Sequence, residues 1–207
     1  MIITYHGKGH IKLVTGDTTI AIAPISKDSK RRQTKYNADI VLLPLIHQDY
    51  NGVDNILNTS KDPFIIKGAG EYEVNNIFIE GFSSKVIRDK IDYMATNYVF
   101  NFDGIRVAYI GQIQSLLPSE HKEIIDEVDV LFVPCGGESL NLNAYDAYKL
   151  AIGLEPKIII PIDYDEITLP IFIKESSSDN IASVEKLTIK KKDILEKSGE
   201  VIILEEI

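Results

Sequence analysis

The segment Ile40-Val41-Leu42-Leu43-Pro44-Leu45 is apolar at every position. A strand with one wetted face alternates apolar and polar residues, whereas a strand covered on both faces has no reason to alternate. The chain must therefore lay material against each side of this segment, which restricts it to layered architectures. The same continuous apolar character returns at Val128–Val133 and at Lys157–Ile162. Between those two runs lies a helix signal. Asn143 is a good N-cap, Ala144, Ala147, Tyr148, Ala151 and Ile152 fall on one helical face, Gly153 closes the helix and Pro156 prevents its return. Glu120–Glu127, just after Pro118, is also expected to be helical.

The first half reads as short strands between turns. Ile2–Tyr5, Ile11–Val14 and Thr18–Ala23 are separated by Gly7-Lys8-Gly9 and Gly16-Asp17, and Phe64-Ile65-Ile66 and Ile77-Phe78-Ile79 are briefer apolar runs. Tyr98–Phe102 and Ile105–Ile110 flank Asp103-Gly104, a dipeptide suited to the positive φ angles of a tight hairpin. Ser26–Asn37 is polar and basic, as expected of an exposed loop, and Glu200–Leu204 predicts a closing strand. Ser176–Asn180 reads as a flexible loop rather than a domain linker, because about thirty residues beyond it are too few to fold alone. The expected arrangement is one domain over 1–207, an α/β fold with two sheets face to face and helices outside, an αββα four-layer sandwich.

Charge and composition narrow the partners. The 207 residues carry a net charge of −9, which disfavours nonspecific association with nucleic acid or anionic membranes. Two basic runs, Lys27–Arg32 and Lys190–Lys192, lack interleaved aromatics and read as solvated segments rather than a nucleic-acid platform. No apolar run approaches the ~18 residues of a membrane-spanning helix, and Met1–His6 lacks the basic and apolar regions of a signal peptide. Cys135 is the only cysteine, so neither an internal disulfide nor a thiolate zinc cluster can form. A cytoplasmic location is expected, with an unidentified small molecule or protein as partner and a homo-oligomer as an open alternative.

Several segments, taken in order, resemble the metallo-β-lactamase superfamily in its small bacterial branch related to the ascorbate-phosphate lactonases. They are Ile3-Thr4-Tyr5-His6-Gly7, Ala38–Leu42, Gly70-Glu71-Tyr72-Glu73-Val74, Asp129–Pro134 with Gly136-Gly137, Glu155–Pro161 and Val184–Lys191. The resemblance implies the four-layer sandwich already suggested by the strand pattern. It also implies loops at one sheet edge where histidines and aspartates hold zinc, iron or manganese, which converts water to hydroxide.

The defining His-x-His-x-Asp-His motif of that superfamily falls here on Leu45, Ile46, His47, Gln48, Asp49 and Tyr50. Its second histidine and its aspartate are kept. No histidine lies between His47 and His121, so the family's next ligand has no counterpart. Gln112 follows Gly111 where the family has a bridging aspartate, Asp163 stands in place of the final histidine, and Ala23 precedes Pro24 where an aspartate is common. A catalytic zinc site needs about three converging protein ligands at about 2 Å and an open position for water. His47, Asp49 and Asp163 are the weak candidates for such a set, although the resemblance assigns His47 and Asp49 to different metals.

Each candidate has a bland reading. His47 can be a hydrogen-bonded loop histidine, Asp49 a helix cap near Asn51-Gly52 or a loop anchor, Asp163 a solvent-facing charge, and Gln112 a hydrogen-bonding remnant. His121 sits in a charged helix. His6 and His10 flank the Gly7-Lys8-Gly9 turn and could pair with His47. Cys135 reads as a small buried residue, and Gly70, Gly136 and Gly137 as positions of unusual backbone. The sequence therefore favours a superfamily member that keeps its scaffold for binding or assembly, with a vestigial pocket of His47, Asp49, Tyr50, Gln112 and Asp163, no confident catalytic residue and no cofactor expected. The alternative is a metal-dependent hydrolase of a small phosphorylated or ester substrate with a rebuilt single-metal site of zinc, manganese or iron.

Overall fold

The computed structural model describes residues 1–57, 62–88, 90–136, 142–176, 181 and 183–207. Strands β1 (Ile2–Tyr5), β2 (Ile11–Thr15) and β3 (Thr18–Ile22) form an antiparallel meander. β4 (Tyr36–Asn37) precedes β5 (Ile40–Leu42), and β6 (Ile56–Leu57) precedes β7 (Phe64–Ile66). Then come the antiparallel strands β8 (Gly70–Val74), β9 (Ile77–Arg88), β10 (Ile91–Phe102) and β11 (Ile105–Tyr109). β12 (Val130–Pro134) and β13 (Ile158–Ile162) add in parallel. The last third supplies β14 (Ser183–Val184), β15 (Leu187–Thr188), β16 (Glu200–Val201) and β17 (Ile203–Leu204). The two main sheets run β15-β1-β2-β3-β5-β7 and β16-β13-β12-β11-β10-β9-β8.

The continuous apolar runs are explained by what each face touches. In β12, Val130 and Phe132 point between the sheets, where they join Ile3, Leu13, Ile20 and Leu42 of the opposite sheet. Leu131 and Val133, one residue out of phase, point outward against the helices. A strand side chain alternates faces with a period of two, so a residue sequence apolar at both phases is buried on both. The helices are α1 (Ser119–Ile124), α2 (Ala144–Ile152) and α3 (Thr168–Glu175), and Ala147, Ala151 and Phe172 pack on that outer face. The Asn143 side chain caps α2 by accepting the Asp146 N–H at 2.9 Å, as its residue type predicts.

Outside the first sheet the cover is thinner than a four-layer scheme expects. Val41 and Leu43 pack there with Ala21, Ala38 and Ile56. Among the described residues that layer is the two-stranded β4–β6 ribbon with a 3-10 turn at Val53–Asn55.

Other expectations are corrected. Helix α3 carries no helical signal in the sequence, because it contains Pro170 and the β-branched Thr168, Ile171 and Ile173; the proline is tolerated because it lies in the first turn, where no intrahelical N–H partner is lost. Within α2, Leu150 is buried and Ile152 is 46% exposed. The closing strand is two pieces, β16 and β17. β9 and β10 extend well past the runs the sequence marked, and Ser26 and Ser29, in the segment expected to be exposed, are buried. Most of the Ser176–Asn180 loop, and Gly137, lie outside the described residues.

Candidate functional site

Four loops meet at one end of the sandwich, and their meeting point is the carboxylate of Asp163. The first is the Gly7-Lys8-Gly9 turn between β1 and β2. Gly9 has no side chain because none would fit: a Cβ there would stand 2.4 Å from the Tyr109 hydroxyl, which donates to the Gly9 carbonyl at 2.9 Å. Lys8 follows Gly7 into the left-handed region at φ +54, and its carbonyl accepts the Tyr5 hydroxyl at 2.8 Å and the Asp163 amide at 2.6 Å. Asp163 itself, immediately after β13, has φ +50, and Ala23, after β3, has φ +51. Non-glycine residues rarely adopt this conformation, and surrounding contacts must hold them in it.

The remaining loops bring side chains to the same carboxylate. Tyr50, from the loop after β5, donates its hydroxyl to Asp163 Oδ2 at 2.6 Å, and Gln112, from the loop after β11, donates Nε2 to the same oxygen at 3.3 Å. The Lys8 ammonium stands 3.4 Å from Asp163 Oδ1. Asp163 is 1% exposed, so the expectation of a solvent-facing charge is corrected. A buried carboxylate is costly unless it is paired and hydrogen-bonded, and this one has an ammonium and two neutral donors. Burial and then the Asp163 charge push the Tyr50 hydroxyl well above its ordinary pKa, which fixes it as a protonated donor. Gln112 is fully buried, and its Oε1 has no hydrogen-bond partner among the described residues.

His47 and Asp49 form a second group beside the first. The Ser29 hydroxyl donates to Asp49 Oδ1 at 2.5 Å, so Asp49 anchors the 26–33 segment rather than capping a helix. The Asp49 N–H points at His47 Nδ1 at 3.3 Å, and Asp49 Oδ2 lies 3.8 Å from that nitrogen. An imidazole that accepts an amide proton on Nδ1 carries its own proton on Nε2. Tyr50 bridges the two groups, its ring centroid 6.0 Å from that of His47.

In this arrangement the singled-out side chains bond to their neighbours rather than converge on one point. Asp163 is engaged by an ammonium and two hydrogen-bond donors, Asp49 turns toward Ser29, and the Asp49 N–H faces His47 Nδ1. Leu45 is buried in the core between the sheets and Tyr50 is buried over Asp163. Among the described residues, no three His, Cys, Asp or Glu side chains are grouped to hold an ion.

The other singled-out residues have separate roles. The His6 and His10 rings lie tilted with centroids 4.8 Å apart, and both stack on Tyr36, whose hydroxyl is 2.8 Å from His10 Nε2. Burial lowers His6 to a pKa of about 4 and takes His10 well below its usual range, so both are neutral. Cys135 is fully buried and burial raises its thiol, which removes it as a thiolate nucleophile. His121 packs its ring 4.7 Å from Phe82 instead of standing in solvent. Gly136, at φ +101, has the unusual backbone expected of it. Sequence reasoning missed Lys8 and Ser29, since a lysine between glycines and a serine in a basic loop both look like surface.

A family model described as a beta-lactamase superfamily domain matches residues 2–163. A protein of Geobacillus named a metal-dependent hydrolase is 28% identical over 210 residues, spanning 84% of this chain and 89% of the relative. Another of that name from Listeria innocua is 25% identical over 219 residues, spanning 90% of this chain and 93% of the relative. A Thermotoga maritima crystal structure, described as a Zn-dependent hydrolase of the metallo-β-lactamase superfamily, has a TM-score of 0.76 at 24% identity, covering 98% of this chain and 97% of that one.

Proposed function

We propose, from the premise that this chain belongs to the beta-lactamase superfamily, that it uses the family scaffold to bind a small molecule or a protein and does not hydrolyse through a metal. One observation carries the reading: the buried Asp163 carboxylate is held by Lys8, Tyr50 and Gln112. Lys8 supplies the positive charge, Tyr50 and Gln112 supply neutral donors, and the His47–Asp49–Ser29 group braces the adjoining loop. The acidic balance and the single cysteine support a cytoplasmic setting and a partner other than nucleic acid. Among the described residues no helix is long and apolar enough to cross a membrane.

The test is elemental analysis of protein purified without chelator, followed by calorimetric titration with zinc, manganese and iron(II). The expected result is far less than one equivalent of metal and no heat that depends on His47. One equivalent of metal, lost on His47→Ala, would overturn the reading.

A second reading is a metal-dependent hydrolase of a small phosphorylated or ester substrate. The names of the relatives favour it, as does the retention of His47 beside Asp49. It requires the Tyr50–Asp163 and Ser29–Asp49 hydrogen bonds to open. Metal-dependent turnover of bis-p-nitrophenyl phosphate or p-nitrophenyl acetate, abolished by Asp163→Asn, would establish it.

A further inference from the structure

A cleft of about 170 Å³ opens over Lys8, with Tyr5, Arg31, Tyr164, Asp165 and Glu206 on its walls. It is separate from a larger groove of about 900 Å³ lined by Tyr148, Ile152, Val184, Leu187 and Val201, which contains no member of the Asp163 group. The smaller cleft is built rather than incidental. Glu206 reaches it because Gly7 has no side chain: a Cβ on Gly7 would stand 2.6 Å from the Glu206 carboxyl carbon. Asp165 is fixed by the N–H groups of Ile167 and Thr168, both of which donate to its Oδ1, at 2.9 and 2.8 Å. The Tyr5 and Tyr164 rings stand 5.6 Å apart as an aromatic wall, their hydroxyls turned to the carbonyls of Lys8 and Leu204. Lys8 is shared: Asp163 holds its ammonium from within, and its side chain, 10% exposed, also lines the cleft.

We propose that this cleft binds a small zwitterion of the α-amino-acid class. Its carboxylate faces Lys8 and Arg31, its ammonium faces Asp165 and Glu206, and its carbon stem lies on Tyr5 and Tyr164. Two arguments select that class. The lining mixes the cationic Lys8 and Arg31 with the anionic Asp165 and Glu206, and Asp163 stands behind Lys8, so a purely anionic or purely cationic ligand meets repulsion as well as attraction, whereas a dipolar ion pairs with both signs. The volume is well below the ~300 Å³ at which sites for drug-sized ligands begin, which limits the occupant to a few heavy atoms. The inference rests on the metal-free reading above, because an ion bound by Asp163 would displace the Lys8 ammonium from its place.

The experiment is ligand-observed NMR and calorimetry on the full chain with the individual L-amino acids, the N-acetyl and carboxamide derivatives of each binder, and inorganic phosphate. At least one amino acid is expected to bind. Blocking either charged end should weaken it at least tenfold, and so should the variants Arg31→Ala and Glu206→Gln. The proposal is overturned if no amino acid binds at about 10 mM, a weak limit on the affinity scale, or if the blocked forms or phosphate bind as well as the zwitterion. Metal content measured on the same sample separates the two failures. No binding with no metal sinks this inference alone, and no binding with one equivalent of metal sinks the metal-free reading beneath it.

Discussion

Two buried polar groups flank the Gly7-Lys8-Gly9 turn, and they answer burial in opposite ways. Around Asp163 the carboxylate collects an ammonium and two neutral donors. Around His6 and His10 burial prevails: the imidazoles lie against Tyr36, His6 Nδ1 stands 3.4 Å from the Ile207 oxygen, and both rings stay neutral. The difference follows from the ordinary pKa of each group. A carboxyl ionises far below neutral pH, so keeping it charged and recruiting partners is easier than forcing it to hold its proton. An imidazole ionises close to neutral pH already, and burial alone leaves it uncharged. One group therefore depends on its partners and the other on pH.

Removing the cation should have the largest effect. Lys8→Met leaves a buried carboxylate without its counter-charge and should cost about 3–5 kcal/mol in urea denaturation, while adding Asp163→Asn should recover more than half of that loss. If the double variant is no better than the single one, Lys8 acts through packing and the contrast fails.

The histidine side predicts the pH dependence. His6 has a folded pKa of about 4, below the unfolded value near 6.5, so the unfolded chain binds more protons between those limits. Stability should be level above pH 6.5 and should fall as pH drops toward 4, by up to about 3 kcal/mol. His10, shifted in the same direction by burial, adds to the slope. Thermal denaturation of His6→Gln across that window should show a flatter profile, and an unchanged slope would remove the histidines from the comparison.

Two hydroxyl deletions sharpen it further. Tyr50→Phe removes a 2.6 Å bond to a charged acceptor and should cost about 1.5–3 kcal/mol. Tyr36→Phe removes a 2.8 Å bond between neutral groups and should cost about 0.5–1.5 kcal/mol. Equal losses in chemical denaturation would mean that the charge on Asp163 contributes nothing to its bonds.

Much of the scaffold was legible in the residues because burial on both faces leaves a continuous apolar mark, as at Ile40–Leu42 and Val130–Pro134. Asn143 announced α2 through cap chemistry that is local in sequence. The site was legible only in part. Tyr50, Gln112 and Asp163 stood out through the superfamily motif, but their mutual bonds span 113 and 51 residues and leave no local pattern. Lys8 was hidden altogether. Its neighbours Gly7 and Gly9 mark a turn, and nothing along the chain says that the distant Asp163 will donate its amide to the Lys8 carbonyl at 2.6 Å and set its carboxylate beside the ammonium.

The ammonium beside Asp163 also constrains the order in which this site can change. Histidines introduced at positions 45, 50 or 163 would have to gather a divalent ion next to a resident positive charge, and the two cations would repel at short range. Substitution of Lys8 must come first or at the same step, yet doing so alone strands a carboxylate in the protein interior. A sequence route that removes Lys8 while the Asp163 carboxylate stays therefore crosses a stability valley, and its depth is set by a single side chain in a three-residue turn.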